Sequence, residues 1–390
     1  MKPADSSLAI READLESDPY PIYRRLQEEA PVCWVPSVNL WLVTRWADVE
    51  YVCKHPETFA AEIPDSALTR TIGPNMLHSD GACHRRLRAI VEPAFRARAI
   101  GHYPHGIIAA TARELAGAIA GRGRADLIKE FAQPLSLRVL KQVLGIEVSD
   151  ETLSRWSDGL ATGAANFSGD PERQAYADRV IAEIDLYLEN SLEHPEAVPK
   201  DTALRALLFP EAGARPTREE IRATVKLLVI GGLKTTGDLI GVALFALLGH
   251  PDQLREVVED LTRVDGAVEE AIRWLSPVGT ATRRAVRACE LCGTELPEGA
   301  VIGAVLAAAN RDPRVFPKPE CFDIHRPPGN HLAFATGPHA CVGALLGRYQ
   351  GRVGLRVLFE TIKTLRLDPE RPVEVRGWEF RAPTGLRVEF

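Results

Sequence analysis

The most informative stretch of apolar positions lies between residues 217 and 249. Small and apolar side chains recur there at steps of three and four residues, which places them on one face of an α-helix. Thr217 followed by Glu220 is a capping-box sequence at the start, and Gly249 and Pro251 mark the end. A helix of this length measures about 50 Å, so we predict that it crosses the whole molecule.

The rest of the chain predicts further helices and a few short strands. Between about residues 83 and 290 the pattern is mostly helical, and residues 341–362 predict another helix. Segments typical of β-strands lie at 33–44, 278–306 and 374–390. No internal repeat and no linker rich in glycine and serine divides the sequence. The pattern therefore predicts one mainly α domain with a minor β region, spanning residues 1–390.

Composition and charge narrow the class of protein. Of the 390 residues, 45% are hydrophobic and 26% are charged, as in ordinary globular proteins. The 47 Lys and Arg against 53 Asp and Glu give a net charge of −6, which speaks against nucleic-acid binding. Charges interrupt the best candidate for a membrane span, and the amino terminus lacks a signal-peptide pattern. Seven cysteines are expected to be free thiols, so we expect a soluble protein of the cytoplasm without a membrane partner.

Cys341 is the candidate chemical centre because it lies at the predicted start of a helix. The helix dipole and the free N–H groups at such a position stabilise a thiolate. Gly337 and Gly343, on either side, would let the backbone approach a flat group. An isolated cysteine is usually a small buried hydrophobic side chain, which is how we interpret the other six.

The residues around this cysteine carry a family resemblance. The pattern Phe334-x-x-Gly337-x-His339-x-Cys341-x-Gly343 resembles the haem-thiolate loop of the cytochrome P450 superfamily. The resemblance implies that Cys341 binds the iron of haem b, iron protoporphyrin IX, and that Phe334, Gly337, His339 and Gly343 surround the cofactor. It also implies the family's fold, which is a single triangular domain, mainly α with a minor β region.

The same resemblance implies the class of reaction. A soluble bacterial member would be a haem-thiolate monooxygenase that inserts one atom of O2 into a small lipophilic substrate. We expect no fused reductase, so electrons from NAD(P)H would arrive through a ferredoxin and a ferredoxin reductase. The arginines Arg348, Arg352 and Arg356 share one helical face after Cys341 and form a candidate docking surface for such a partner, unless they are merely a solvated face.

Four cations stand where the family binds the haem propionates. His84-Arg-Arg-Leu-Arg88 resembles the family's H-x-x-x-R helix, and a spacing of four lets both ends reach one carboxylate. Arg283 and His339 occupy two further propionate-binding positions of the family. Taken singly, each of these residues could be a solvated surface charge.

A second motif predicts a structural ion-pair network. Glu270-Ala-Ile-Arg273 matches the family's E-x-x-R helix, although such an i,i+3 pair is common by itself. Arg326 would complete the family's Glu-Arg-Arg network, which would hold the segment that leads to Cys341. Burial of these charges requires that they be paired and hydrogen-bonded.

The middle of the long helix resembles the family's oxygen-activation segment, A/G-G-x-D/E-T-T. Gly231 and Gly232 would open a groove for oxygen, and Thr235, followed by Thr236, would be the alcohol that directs protons. From periodicity alone, the glycines indicate only close helix packing, since each costs a helix about 1 kcal/mol.

Lys234 departs from that pattern because the family has an acid at this position. A lysine cannot replace a carboxylate as a proton acceptor. It could pair with Asp238 one turn further on. Proton delivery would then need another route, through water or through Asp238.

The substrate pocket is placed by analogy with the family. Its predicted walls are mostly apolar, which fits a small lipophilic substrate, although ordinary core packing is an equal alternative. The residues assigned to it are Met76, Leu77, Phe167, Leu228, Val278, Thr280 and Pro383.

Three hypotheses about the reaction stay open. Residues 274–282 and 377–386 resemble bacterial enzymes that O-demethylate methoxy-aromatic compounds. A hydroxylase of terpenoid or polyketide intermediates is the second possibility. The third is a peroxide-using or ligand-sensing haem protein, suggested by Lys234.

Overall fold

The computed structural model describes residues 9–96, 104–211, 215–327 and 329–390, and the description below refers to these. They form a mainly helical molecule with small β-sheets, as predicted. The helices are α1 (Glu12–Ser17), α2 (Tyr20–Glu29), α3 (Trp46–Lys54), α4 (Ala67–Ile72), α5 (Gly81–Val91), α6 (Ala109–Ala120), α7 (Gln133–Leu144), α8 (Asp150–Ala164), α9 (Pro171–Glu193), α10 (Ala203–Leu208), α11 (Arg218–Val229), α12 (Thr235–Leu248), α13 (Pro251–Glu259), α14 (Val264–Trp274), α15 (Leu306–Ala309) and α16 (Ala344–Thr361).

The strands are short and build four small sheets. They are β1 (Val32–Val35), β2 (Leu40–Val43), β3 (Phe59–Ala60), β4 (Arg124–Asp126), β5 (Thr280–Ala285), β6 (Cys289–Leu291), β7 (Thr294–Leu296), β8 (Val301–Val305), β9 (Arg366–Leu367), β10 (Val375–Arg376), β11 (Ala382–Pro383) and β12 (Arg387–Glu389). The main sheet has the order β1-β2-β8-β5-β3, with β2 and β8 parallel and the other pairs antiparallel. The remaining sheets are β4-β12-β9, β10-β11 and β6-β7.

The carboxyl-terminal segment differs from the strand pair suggested by its alternating pattern. Only β10 and β11 pair with each other, as a hairpin, while β12 pairs with the distant strands β4 and β9. Alternation marks a residue as half-buried, but it does not identify the partner strand.

The long helix is present and crosses the core. Its start is a true capping box, in which Thr217 Oγ1 accepts from the Glu220 amide at 3.1 Å and the Glu220 carboxylate accepts from the Thr217 amide at 2.8 Å. It differs from a regular helix at Ile230–Lys234, where one π-helical turn separates α11 from α12. The two consecutive glycines lie inside this turn, and π-turns within helices occur often at functional sites.

The same helix is the only one among the described residues that is long and apolar enough to cross a membrane. Its most apolar window is 72% buried inside the protein. A helix buried on all sides is typical of the core of a large folded domain. The largest hydrophobic cluster surrounds it and includes α7, α14 and α16.

Candidate active site

A cavity of about 500 Å³ lies beside the π-turn of the long helix. Its wall brings together Cys341, the oxygen segment at Gly231 and Thr235, and the cations His84 and Arg283. These residues are far apart in the sequence. The fold therefore collects, around one space, side chains from most of the predicted site motifs.

Cys341 lies three residues before the first residue of α16 and faces this cavity. Its amide donates to the Phe334 carbonyl at 2.9 Å, which closes the preceding loop. Burial raises the pKa of the Cys341 thiol, while the amides of Gly343 and Ala344 and the cation of Arg88 oppose that shift. A thiol beside N–H donors and cations becomes a strong ligand when a metal ion adds further positive charge, because the thiolate is then stabilised.

The loop before Cys341 has a backbone that only glycine tolerates at one position. Gly337 has φ +75°, and a Cβ there would overlap the Cys53 carbonyl oxygen of α3. Gly337 thus allows close packing of the loop against α3. At Gly343 the nearest atom to an added Cβ would be Cys341 Sγ, at 4.0 Å.

The four predicted propionate-binding cations meet at one side of the cavity. The rings of His84 and His339 have centroids 4.1 Å apart, and Arg88 Nη1 donates to the Ala340 carbonyl at 2.8 Å. His339 Nε2 lies 3.0 Å from Asp80 Oδ1. Burial, with the neighbouring charges of His339 and Arg88, lowers the pKa of His84 to about 4. With this pKa His84 is neutral at neutral pH, and a carboxylate placed beside the cluster would favour the protonated form of His84.

Arg283 tests whether this cluster fits an anionic cofactor. Arg283 is 3% exposed, and no carboxylate among the described residues lies within ion-pair distance of it, although the charge of Asp80 acts on it from further away. Its one recorded hydrogen bond runs from Nη1 to the Thr282 carbonyl at 2.7 Å, so most of its five N–H donors stay unused. A buried cation without a counter-ion is costly. The site therefore fits a group that brings carboxylates, as haem does.

The predicted Glu-Arg-Arg network is assembled in the structure. Arg273 forms a bidentate ion pair with Glu270, with N–O distances of 2.8 and 2.7 Å. Arg326 Nε lies 3.0 Å from the same carboxylate. Arg273 also donates to the carbonyls of Asn310 and Pro319. The network ties α14 to the segment that precedes the Cys341 loop.

Glu269, which the sequence analysis did not single out, organises a second network on the neighbouring face of α14. Its carboxylate accepts from Arg348 at 2.8 Å, from Arg352 at 2.9 Å and from His331 at 3.1 Å. Burial would raise the pKa of Glu269, but the hydrogen bonds from His331 and Arg348 hold it at about 2. Arg348 also lies 4.2 Å above the Phe334 ring, next to the cysteine loop.

This network changes the interpretation of the arginine stripe. Arg352 and Arg356 pair with Asp265 in addition to the contacts of Glu269, at 3.8 and 2.8 Å. Two carboxylates of α14 thus partly neutralise three arginines of α16. The signal that could have revealed this is the i,i+4 spacing of the acids, which matches the spacing of the arginines.

The oxygen-activation segment, residues 231–236, has one face towards the cavity and one face towards the protein core. Thr235 Oγ1 donates to the Gly231 carbonyl, and Thr235 and Thr236 both line the cavity. Gly231 has open space around the position of a Cβ, whereas a Cβ on Gly232 would overlap Leu140. Close packing therefore explains Gly232, and Gly231 is left facing empty space.

Lys234 and Asp238 lie away from that space. Lys234 Nζ is 3.1 Å from Asp238 Oδ2, and neither residue is among the described residues that line the cavity. Burial raises the pKa of Asp238, and the ammonium of Lys234 opposes the shift. The segment thus presents hydroxyls, but no carboxylate, to the cavity.

The predicted pocket residues are nearly all in the wall of the cavity. The lining includes Met76, Leu77, Phe167, Leu228, Val278 and Thr280. Pro383 differs, because it lies in β11 paired with Val375 and is not among the described lining residues. Glu379 and Phe380, at the tip of the same hairpin, reach the cavity in its place. Glu379 was missed because nothing in a sequence shows which residue of a hairpin tip points inward.

Comparisons with known proteins agree with this arrangement. Residues 172–374 match the family model described as Cytochrome P450. The chain is 35% identical to the cytochrome P450 monooxygenase PikC of Streptomyces venezuelae, over 91% of this chain and 86% of the relative. It is 30% identical to the 6-deoxyerythronolide B hydroxylase of Saccharopolyspora erythraea, over 91% of this chain and 92% of the relative.

Comparison with solved structures points to the same family. The solved structure of P450BioI, in complex with an acyl carrier protein ligated to hexadec-9Z-enoic acid, matches with a TM-score of 0.88. The two chains are 28% identical, and the match covers 96% of this chain and 98% of that one. The prediction from the cysteine motif is confirmed: the chain belongs to the cytochrome P450 family and is a monooxygenase of the bacterial type.

Proposed function

We propose that this cytochrome P450 hydroxylates a lipophilic biosynthetic intermediate of polyketide or fatty-acyl size. The observation that carries the proposal is the single cavity whose wall contains Cys341, the propionate-type cations and a largely apolar surface. The cavity of about 500 Å³ would hold haem b together with the substrate, so its volume does not define the size of the substrate. The named relatives include a hydroxylase of 6-deoxyerythronolide B and a structure with a fatty-acyl carrier protein, which supports substrates of that size.

In this proposal the chain's residues hold haem b as follows. The Cys341 thiolate binds the iron, and Arg283, Arg88, His84 and His339 bind the propionates. The bound haem supplies an iron centre that activates O2 for insertion into a C–H bond. The protein contributes position, electrostatics and the exclusion of water.

Thr235 is the proposed proton-handling residue. Its Oγ1 now donates to the Gly231 carbonyl across the π-turn. A hydroxyl can donate one proton while it accepts another, so rotation away from that carbonyl would let Oγ1 pass a proton into the cavity. Because Lys234 and Asp238 pair with each other off the cavity, we propose that water supplies Thr235 directly.

The partners remain part of the proposal. We expect NAD(P)H electrons through a ferredoxin and its reductase, in the cytoplasm. Since the arginines of α16 are largely paired with Asp265 and Glu269, an acidic partner would have to compete with these carboxylates. The affinity for ferredoxin should therefore be modest and depend only moderately on salt.

A carbon monoxide difference spectrum of the reduced protein tests the cofactor assignment. The thiolate-type Soret band is expected in the wild type and is expected to be lost in Cys341→Ser. Ferric spectral titration with macrolactones, fatty acids and methoxy-aromatics then tests the substrate class. A high-spin shift only with methoxy-aromatics would overturn the proposed hydroxylation in favour of the predicted O-demethylation.

One observation favours a second candidate, which is turnover driven by peroxide. No carboxylate of the oxygen segment is among the described residues that line the cavity. An enzyme that accepts peroxide needs no relay to protonate bound oxygen. Product formed faster with hydrogen peroxide than with NADH and redox partners would support this candidate.

A further inference from the structure

The tip of the β10–β11 hairpin is fixed against the start of β5 by backbone contacts. The Gly279 amide donates to the Glu379 carbonyl at 2.8 Å, and the Arg381 amide donates to the Pro277 carbonyl at 3.0 Å. Gly279 has no alternative here, because a Cβ would overlap the Trp378 carbonyl. These contacts hold the backbone of the tip without help from the Glu379 side chain.

Glu379 is one of the residues that line the cavity. Thr280 Oγ1 donates to its Oε2 at 2.7 Å. Among the described residues, the carboxyl also accepts a hydrogen bond from the Thr280 backbone amide, and no cation forms an ion pair with it. A carboxylate has about four acceptor sites, so these two hydrogen bonds from Thr280 leave further capacity for a donor that enters the cavity.

The surroundings make this carboxyl unusual. Glu16 of α1 adds a like charge, and the phenol of Tyr23 lies near enough to feel the charge of Glu379. Arg381 turns away and donates to the carbonyls of Ser17 and Gly377. Burial, with the charge of Glu16, raises the pKa of Glu379 to about 8, although the hydrogen bond from Thr280 opposes the shift.

A purely structural carboxyl would not need this arrangement. The backbone bonds already lock the hairpin, and an amide at position 379 would accept equally well from Thr280. An acidic side chain in an apolar cavity is costly unless a positive charge joins it. Because no cation among the described residues pairs with the Glu379 carboxylate, the positive charge would have to come from a ligand that enters the cavity.

We propose that Glu379, positioned by Thr280, determines specificity for substrates that carry a protonated aliphatic amine. This inference rests on the proposed function, since it names the substrate class for the same cavity. On binding, the ammonium donates to the Glu379 carboxylate and the carboxyl releases its proton to solvent. The only other carboxylate among the described lining residues, Asp65, is exposed and therefore solvated.

The test measures binding to the ferric holoenzyme by isothermal titration calorimetry. The probes are three pairs that differ in one group: dimethyloctylamine and octanol, dimethyldecylamine and decanol, and dimethylaminomethyl-adamantane and adamantanemethanol. At least one amine should bind about tenfold or more tightly than its alcohol. Repetition in buffers of different ionisation enthalpy should show about one proton released per amine at about pH 7.

Glu379→Gln should abolish both the preference for amines and the proton release. Asp65→Asn is the matched control, because it makes the same change at the cavity rim and should alter neither. Thr280→Val should weaken amine binding less than Glu379→Gln does, and the thiolate-type Soret band of the reduced carbon monoxide complex should persist in all three variants. That persistence shows that the variants fold and bind haem.

Equal binding of amine and alcohol in every pair, or amine binding without proton release, would overturn the inference. Failure of all six probes to bind would overturn it as well. A preference that survives in Glu379→Gln would mean that the amine binds the iron or another group. The carbon monoxide spectrum is independent of these results, so a failure of the proposed function is recognised separately.

Discussion

Lys234 Nζ lies 3.1 Å from Asp238 Oδ2, one turn further along the core helix. The Asp238 side chain is 7% exposed and that of Lys234 is 31% exposed. The two partners are therefore unequal. Loss of the lysine leaves a buried carboxylate without a counter-ion, whereas loss of the aspartate leaves an ammonium that can reach solvent.

We predict that Lys234→Met destabilises the protein by about 1–3 kcal/mol at neutral pH, more than Asp238→Asn does. The loss should depend on pH. Burial already raises the pKa of Asp238, and removal of Lys234 raises it further. An acid whose pKa is raised by folding stabilises the folded state fully below its unfolded pKa, where it is protonated. This contribution is lost as the pH rises through the folded pKa.

Urea denaturation of both variants at about pH 4.5 and pH 8 measures this. The Lys234→Met deficit should be larger at the higher pH. In the double variant Lys234→Met/Asp238→Leu, most of the stability should return, since no buried charge is left. Equal deficits for the two single variants would show that solvent reaches both partners.

Substitution of Lys234 also tests how protons reach Thr235. If water supplies Thr235 directly, Lys234→Glu should change the coupling of NADH oxidation to product formation by less than about twofold. Thr235→Ala should lower this coupling several-fold and raise peroxide release, since the cavity hydroxyl is removed. The measurement is product and hydrogen peroxide per NADH, with redox partners in excess. A large improvement in Lys234→Glu would show that the relay does run through position 234.

Glu269 gives a prediction with the opposite dependence on pH. Its pKa is held at about 2 by His331 and Arg348. An acid whose pKa is lowered by folding stabilises the folded state above its unfolded pKa, which is near 4.5 for a glutamate. This contribution is lost as the pH falls towards the folded pKa of about 2. Glu269→Gln should cost about 1–2 kcal/mol at neutral pH and progressively less below about pH 4.5.

The control for this prediction is an exposed pair. Glu389 pairs with Arg366 at 2.8 Å, but their side chains are 41% and 77% exposed. Glu389→Gln should therefore change the free energy of unfolding by less than about 0.5 kcal/mol at any of these pH values. Denaturant titrations of the three proteins at several pH values give the comparison. A Glu269→Gln deficit that does not shrink at low pH would assign the loss to packing.

The sequence predicted the features that depend on local chemistry. Thr217 and Glu220 predicted the start of the long helix, and the spacing of residues around Cys341 identified the family. Features set by packing between distant elements were not predictable. The π-turn at Ile230–Lys234 and the pairing of α16 arginines with Glu269 depend on neighbours that only the fold supplies.

The carboxyl-terminal hairpin shows the same limit. Pro383 was assigned to the pocket and Glu379 was not, yet Glu379 reaches the cavity. In a hairpin, a shift of one residue moves a side chain to the other face. Gly279 packs closely against the Trp378 carbonyl, and no local pattern reveals this contact between distant segments.

The two glycines of the π-turn allow a matched pair of substitutions. Apart from the backbone of its own helix and its chain neighbours, no atom of the described residues lies within 4 Å of a Cβ added at Gly231, whereas a Cβ on Gly232 would overlap Leu140 Cδ1. Gly231→Ala should therefore stabilise the protein by up to about 1 kcal/mol, because alanine loses less conformational entropy in a helix. Gly232→Ala should be neutral or destabilising, depending on how far Leu140 can move.

The functional effects should run the other way. A methyl group on Gly231 enters the cavity that the proposed haem and oxygen would share, so Gly231→Ala should raise the Kd of the ferrous protein for carbon monoxide several-fold. Gly232→Ala directs its methyl group at α7 and should change that Kd little. Thermal denaturation and carbon monoxide titration of both variants provide the test. A Gly231→Ala protein that is more stable and binds carbon monoxide normally would mean that the open space at Gly231 is not the ligand site, and the proposed position of oxygen would have to move.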